Sequence, residues 1–560
     1  MEKLAQDLVT SNSVSMISKI YDQYLDVIAI EPNLFTLNIT DAFMQYNEPS
    51  LSEPQIRAFM GRVASGLLSA VRVMGALPII RCAPGGAAEM LSRELNSLLR
   101  ENTSSRGPAQ QLFEDCLGDR SRPLLLIADR MADLFPVLQH AATYQALIQD
   151  LLDMRLNRVT VELPEKGEKA AAGKGGVKKT YDLNTAADSF LRAYAGSPFP
   201  EAVDANEKEL AEVSQREASL RSRPDLGAAE ALGMSGGGGG GMGGGGGGGG
   251  GGVEGQGRDL SEAIGSLPEI LQKKANLEAH TNVLQAVMRG VARREVPTYF
   301  EIEQGILCNG GRADKGAVTA LLRDPSKGLI EDKTRLLLLL AVTGDPLLTA
   351  KASAEELDQA FTAGCDSIPA PNTPTPEATA HALAAVAFMR RLQSLSSGMV
   401  GAMGGKGGAY GGVSSASSNA LLSSFLTSAQ SRATSLIAKA ASYFTKFTPY
   451  LLSRTALNLA EGRACPEDDT FLYLDPRAKD GNGGGYTPGG GRKYPDVVVF
   501  VLGGGSYSEY FNLQELLKDK ANSGVSIRSI TYGCTDMLSG DAFVDQLKRL
   551  AKPTPGAGAK

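Results

Sequence analysis

The feature that most constrains this chain is a pair of unbroken apolar runs at opposite ends of it, RPLLLIADR at 122–130 and DVVVFVLGGG at 496–505. A run that is apolar at every position has no solvent face, so each reads as a strand covered on both sides, the mark of a parallel sheet. Strand and helix alternate around both. LPIIRCA at 77–83 is a short strand, followed by Pro84, Gly85 and Gly86 and a helix from 87 to 100, with an apolar-periodic helix over 57–73 before it. VTVEL at 159–163 is a third strand, with KTYDL at 179–183 as its hairpin partner. At the far end SYSEYFNLQELLKD is a helix, SIRSITYG another strand and GDAFVDQLKRL another helix. Two separated blocks of one pattern predict an α/β plus α fold. One discontinuous parallel-sheet domain spans 31–187 and 460–555, a large helical domain at 188–459 is inserted into it, and helices at 1–30 stand in front.

The first thirty residues read as helix. Leu4, Ala5 and Leu8 share a face, then Ile17, Ile20, Tyr21, Tyr24 and Ile28 recur at spacings of three and four, and Pro32 ends the pattern. In the inserted segment Ser266-Leu267-Pro268-Glu269 matches a capping box that opens a helix over 267–293, and 207–220 is a helix before it. Between them, at 236–252, lie sixteen glycines and one methionine. Ordering such a tract is too unfavourable to expect structure there. Further Gly-rich stretches fall at 397–419 and 481–491.

At 560 residues and 42% hydrophobic composition the chain is long enough for about three to four domains. Its net charge of −6 lacks the basic excess of a general nucleic-acid binder. The six cysteines are scattered without a C-x-x-C pair, which predicts neither a disulfide framework nor a metal site and fits a reducing compartment. No apolar run approaches the roughly 18 to 20 residues that a bilayer needs, and MEKLAQDLV carries no signal-type apolar core, so a soluble cytoplasmic protein is expected.

Chemistry-bearing residues are few. The turn Gly503-Gly504-Gly505, between a strand and a helix, is where a nucleotide or phosphorylated ligand would bind if this were an α/β enzyme. Ser508 occupies the position where the dinucleotide fingerprint needs glycine, and no phosphate-loop lysine follows, so a tight structural turn is the favoured reading. Gly85-Gly86 reads the same way. Asp129, Asp133 and His140 follow a strand's C-terminal end, where α/β ligands bind, but with three histidines and no nucleophile elbow they read as capping and internal hydrogen bonds.

RPLLLIADRMADLFPVLQHAATYQALIQDLLDMRLNRV resembles the Sec/Munc (SM) proteins of vesicle fusion. YDQYLDVIAIEPNLFTL, LPIIRCAPGGAAEML, YDLNTAADSF, GSPFPE, LEAHTNVLQAV, DVVVFVLGGGSYSEYFNL and ITYGC extend the likeness, in order and end to end, to the Sly-type ER–Golgi branch. The resemblance implies an arch-shaped fold with a Rossmann-like discontinuous domain, no catalytic activity and no cofactor or metal. It implies binding of a Golgi syntaxin (a Qa-SNARE), and of other SNAREs including an R-SNARE, so as to promote SNARE assembly, docking and fusion in ER-to-Golgi and intra-Golgi transport. Golgi tethering factors and peripheral association with ER and Golgi membranes through these partners belong to the same expectation. Two sites carry over. An apolar pocket for the syntaxin N-terminal peptide maps to Leu4, Ala5, Ile17 and Ile20, and a SNARE-templating hairpin maps to the 207–293 segment with Leu277, His280 and Leu284 on its face. The family's first domain opens with a strand–helix unit that has no counterpart here, Met1 falling where that domain's last helices begin.

Overall fold

The structure, a computed structural model, describes residues 2–18, 26–104, 122–163, 177–221, 253–343, 345, 350–402, 448–478, 492–521 and 527–552. The glycine tract at 236–252, the stretch at 481–491, Ile20 and most of the 397–419 segment lie outside them. The chain packs into two units. The first comprises 1–129, 456–503 and 525–536, the second 130–455, 504–524 and 537–560.

The first unit is built on one seven-stranded sheet. Its strands are β1 (Ile28–Glu31), β2 (Leu34–Thr36), β3 (Ile79–Cys82), β4 (Leu124–Asp129), β8 (Leu472–Leu474), β9 (Asp496–Leu502) and β10 (Ser529–Cys534), in the order β1-β2-β10-β9-β4-β3-β8. The inner five run parallel, and β1 and β8 are antiparallel edges. The two apolar runs are neighbours at the centre, Leu124 opposite Val497 and Asp129 opposite Leu502. Helices Glu53–Met74 and Ala87–Ser104 cover one face, and Leu67, Leu91, Leu95 and Leu99 pack there with Ile80, Leu125 and Phe500. Burying each such leucine is worth roughly 1.5–3 kcal/mol. Within this layer Gly533 lies flat against Phe35, and a Cβ on Gly533 would sit 2.1 Å from the ring. Arg81 on β3 is buried and holds the remote 466–470 turn, donating to Asp468 Oδ1 and to its carbonyl at 2.9 Å each.

The second unit is mostly helical. A hairpin of Phe199–Arg221 and Val253–Arg294 carries a small antiparallel sheet of β5 (Asp153–Arg155), β6 (Arg158–Leu163) and β7 (Val177–Asp182) against its long helix, through Asn282 to Tyr181 OH at 2.9 Å and Arg289 to the Glu162 carbonyl at 2.9 Å. Helix Ile330–Thr343, with Leu336 to Leu340 all buried, packs against helices Pro376–Ala402 and Gly540–Leu550. Among the described residues no helix is long and apolar enough to cross a membrane.

Three expectations change. The first thirty residues are not one helical pattern: the helix Glu2–Thr10 ends where Asn12 takes a left-handed φ of 51°, with Ser13 N–H on the Leu8 carbonyl and Asn12 N–H on the Val9 carbonyl. That is the usual way of closing a helix C-terminus. Ile28, read as helical, is in β1, which turns back through Pro32 and Asn33 to β2. The capping box at 266–269 does not start a helix either, since Val253–Arg294 runs straight through Pro268. Finally, 130–187 packs with the helical unit rather than with the large sheet, because the chain leaves β4 at Arg130 and its later strands form their own sheet.

Candidate functional site

Of the four residues expected to form a peptide pocket, Leu4 and Ala5 lie on helix Glu2–Thr10, Ile20 is outside the described residues, and Ile17 follows a 3-10 turn at Val14–Met16 in extended backbone. Ile17 is 39% exposed, and Val9 (70%), Val14 (54%) and Met16 (85%) around it are more so. Exposed large apolar side chains concentrate in this short segment, the kind of surface a partner covers.

The hairpin residues stand differently. Leu277, His280 and Leu284 are all buried, so their side chains pack the hairpin instead of facing outward. His280 Nε2 lies 2.9 Å from Asp188 Oδ2 and its Nδ1 2.8 Å from Tyr144 OH, with the Phe190 ring 4.8 Å from the imidazole. Asp188 also caps helix Ser189–Tyr194 by accepting from Leu191 N–H at 3.0 Å. Burial raises the Asp188 carboxyl, but the hydrogen bond and charge of His280 outweigh it, and the group lies below the usual carboxylate range. The two helices are laced by Asn206 to Thr281 (2.8 Å) and Lys274 to Glu217 (2.6 Å). The side chains that the long helix offers outward include Leu271, Glu278 and Gln285.

The glycine turn does not form a phosphate cradle. Gly503 and Gly504 adopt φ of 99° and 106°, open to glycine, and both are buried. The Gly503 amide donates to Thr535 Oγ1 at 3.1 Å, and the Gly504 carbonyl accepts from Arg130 Nε at 2.8 Å. Glu509, in the first turn of helix Tyr507–Ala521, is fully buried against Arg130 at 2.5 and 3.0 Å, putting a carboxylate where an anion would have to bind. At Gly85 the amide is likewise taken by Glu89 at 2.7 Å. Asp129 accepts from Tyr46 OH at 2.7 Å, and Asp133 accepts from Phe135 N–H at 3.1 Å.

His140 enters a buried ionic cluster that the sequence did not foretell. Its Nδ1 lies 2.8 Å from Glu303 Oε1 and its Nε2 3.0 Å from Asp332 Oδ1, while its backbone N–H donates to Glu303 Oε2 at 2.8 Å. Arg294 bridges Asp332 (2.7 Å) and Asp541 (2.7 and 2.9 Å). Arg335 holds Asp150 (2.9 and 3.0 Å) and the carbonyls of Leu138 and Gln139. The one signal available was charge at inward positions of apolar helices, as in IEDKTRLLLLL at 330–340.

The Sec1 family profile matches residues 1–546. "Sec1 family domain-containing protein 1" of Homo sapiens is 30% identical over 565 aligned positions, covering 99% of this chain and 80% of that protein. "SEC1 family transport protein SLY1" of Arabidopsis thaliana is 29% identical over 99% of this chain and 79% of its own length. Among solved structures, Sly1p in complex with an N-terminal peptide of Sed5p superposes with a TM-score of 0.61 at 23% identity, over 98% of this chain and 77% of that one. The SM protein Vps45 in complex with the Qa SNARE Tlg2 gives 0.63 at 18% identity, over 98% and 80%. At these identities the structures speak for the fold, and they share it along nearly the whole chain. With the sequence match running from residue 1 to 546, the chain belongs to the Sec1 family.

Proposed function

We propose that this protein is an SM-type regulator that binds a Golgi syntaxin and promotes SNARE complex assembly, docking and fusion in ER-to-Golgi and intra-Golgi transport. The family match over residues 1–546 carries the reading, and the relatives named as Sly1 support the branch. The reading involves no catalysis. The apolar segment with Val9, Val14, Met16 and Ile17 supports a role for the N-terminal residues in holding the syntaxin peptide, alongside Leu4, Ala5 and Ile20. The 199–294 hairpin is the proposed SNARE template, through its outward residues, with Leu277, His280 and Leu284 shaping it from within. An R-SNARE, Golgi tethering factors and peripheral attachment to ER and Golgi membranes are part of the proposal, as is a three-domain organisation.

The test is anisotropy of a labelled N-terminal peptide of the cognate Golgi syntaxin, titrated with the chain and with Ile17→Asp. Saturable binding weakened at least tenfold by Ile17→Asp supports the reading. The substitution is at an exposed position, so the fold is preserved. Binding that is absent, or indifferent to Ile17→Asp, removes the peptide site from this segment.

A further inference from the structure

His140 is fully enclosed in the second unit, and the elements that make up its ionic cluster present charge or a polar ring. Helix Val296–Cys308 brings Glu303 and Tyr299, helix Ile330–Thr343 brings Asp332 and Arg335, the end of the long hairpin helix brings Arg294, helix Tyr144–Leu151 brings Asp150 and helix Gly540–Leu550 brings Asp541. Both ring nitrogens face carboxylate oxygens. An ionised carboxylate only accepts, and a neutral imidazole has one N–H, so the pair of contacts is satisfied only if the ring carries two protons. Between an imidazole nitrogen and a carboxylate oxygen the imidazole is the stronger base by roughly two pH units, so the proton belongs on the ring. The remaining carboxylate oxygens have donors of their own. Glu303 Oε2 already accepts the His140 backbone N–H, and Asp332 Oδ2 accepts Leu329 N–H at 2.7 Å. Asp332 Oδ1 accepts from Arg294 as well. The Tyr299 hydroxyl is turned away, donating to the Lys327 carbonyl at 3.0 Å. Four carboxylates (Asp150, Glu303, Asp332 and Asp541) meet two guanidiniums here, and an imidazolium is the third cation.

We infer that His140 is an interior imidazolium, a bound proton that clasps the helices of the second unit, and that this unit loosens as the pH rises. Burial and the neighbouring Arg335 push the ring's pKa down, and the contacts with Glu303 and Asp332 more than reverse this, leaving it raised. The sign follows. A folded pKa above the unfolded one gives a stabilisation that is complete below the unfolded value of about 6.5 and is lost as pH climbs through the folded value. Across that window the folding constant falls by up to about tenfold per pH unit. A histidine buried without such partners would show the opposite slope.

The experiment uses the full chain with 15N-labelled imidazoles. Only His140, His280 and His381 contribute, so single replacements assign each signal. Expected is a His140 ring with both nitrogens protonated at pH 7.5. Also expected is a urea-unfolding free energy that declines between pH 6 and 9 more steeply than that of His140→Gln. A His140 ring with one bare nitrogen at pH 7, or equal slopes for the two proteins, overturns the inference. If His140→Gln does not fold, the spectrum of the unaltered chain decides alone.

Discussion

Gly533 and Gly540 show how single atoms constrain this molecule. A Cβ on Gly540 would sit 2.3 Å from the Arg335 guanidinium carbon, and one on Gly533 would enter the Phe35 ring. Overpacking at such places costs about 1–3 kcal/mol, so Gly533→Ala and Gly540→Ala are each expected to lower the urea midpoint without changing the slope of the transition. Arg335→Leu should be worse, by about 3–5 kcal/mol, because Asp150 would stay buried without its partner. His280→Leu strands Tyr144 OH and removes one partner of the Asp188 carboxylate, which keeps its Leu191 cap. It is expected to cost about 1–3 kcal/mol, read as faster amide exchange along the 277–288 turns. None of these partnerships was legible in the sequence. The spacing of Leu277, His280 and Leu284 marks one face of a helix, and that face is equally suited to packing inward or docking outward.

At the scale of elements, the central strands were legible because they are long and apolar throughout, whereas β1, β2 and β8, of three or four residues, carry no pattern that length alone could reveal. The N-terminal helical reading ran past Thr10 because side-chain spacing does not register the backbone torsion at Asn12 that closes the helix, nor the strand that takes Ile28. The box at Ser266 to Glu269 misled for a related reason: a local cap signal does not say whether the preceding turn is already helical. With Pro268 inside a continuous helix, Pro268→Ala restores a backbone hydrogen bond. It is expected to stabilise the chain, by up to about 3 kcal/mol, measured by urea unfolding followed by circular dichroism. A neutral result would mean that the helix starts at Pro268 after all.

For the molecule as a whole, the discontinuous architecture was readable from two distant blocks of one pattern, but not the point at which the chain passes from one unit to the other. That point is set by Arg130, whose buried partners Glu509 and the Gly504 carbonyl are remote in sequence. Within the first unit, long-range ties of the same kind run from Arg81 to Asp468 and from Arg122 to Asp475. Arg81→Met is expected to destabilise that unit by about 3–5 kcal/mol by removing the buried guanidinium that pairs with Asp468, and thermal unfolding would report it.

The central sheet also sets a timetable for synthesis. β4 pairs with β9, and β9 with β10, so β4 leaves the ribosome with one edge waiting for strands that are translated last. At about 5–20 residues per second, the interval between Asp129 and Cys534 is roughly 20–80 seconds. Throughout it an apolar strand edge has no native neighbour, so the nascent chain is a natural client for holding chaperones, and ribosome-stalled chains ending before 496 should be far more protease-sensitive at 122–130 than chains released at full length.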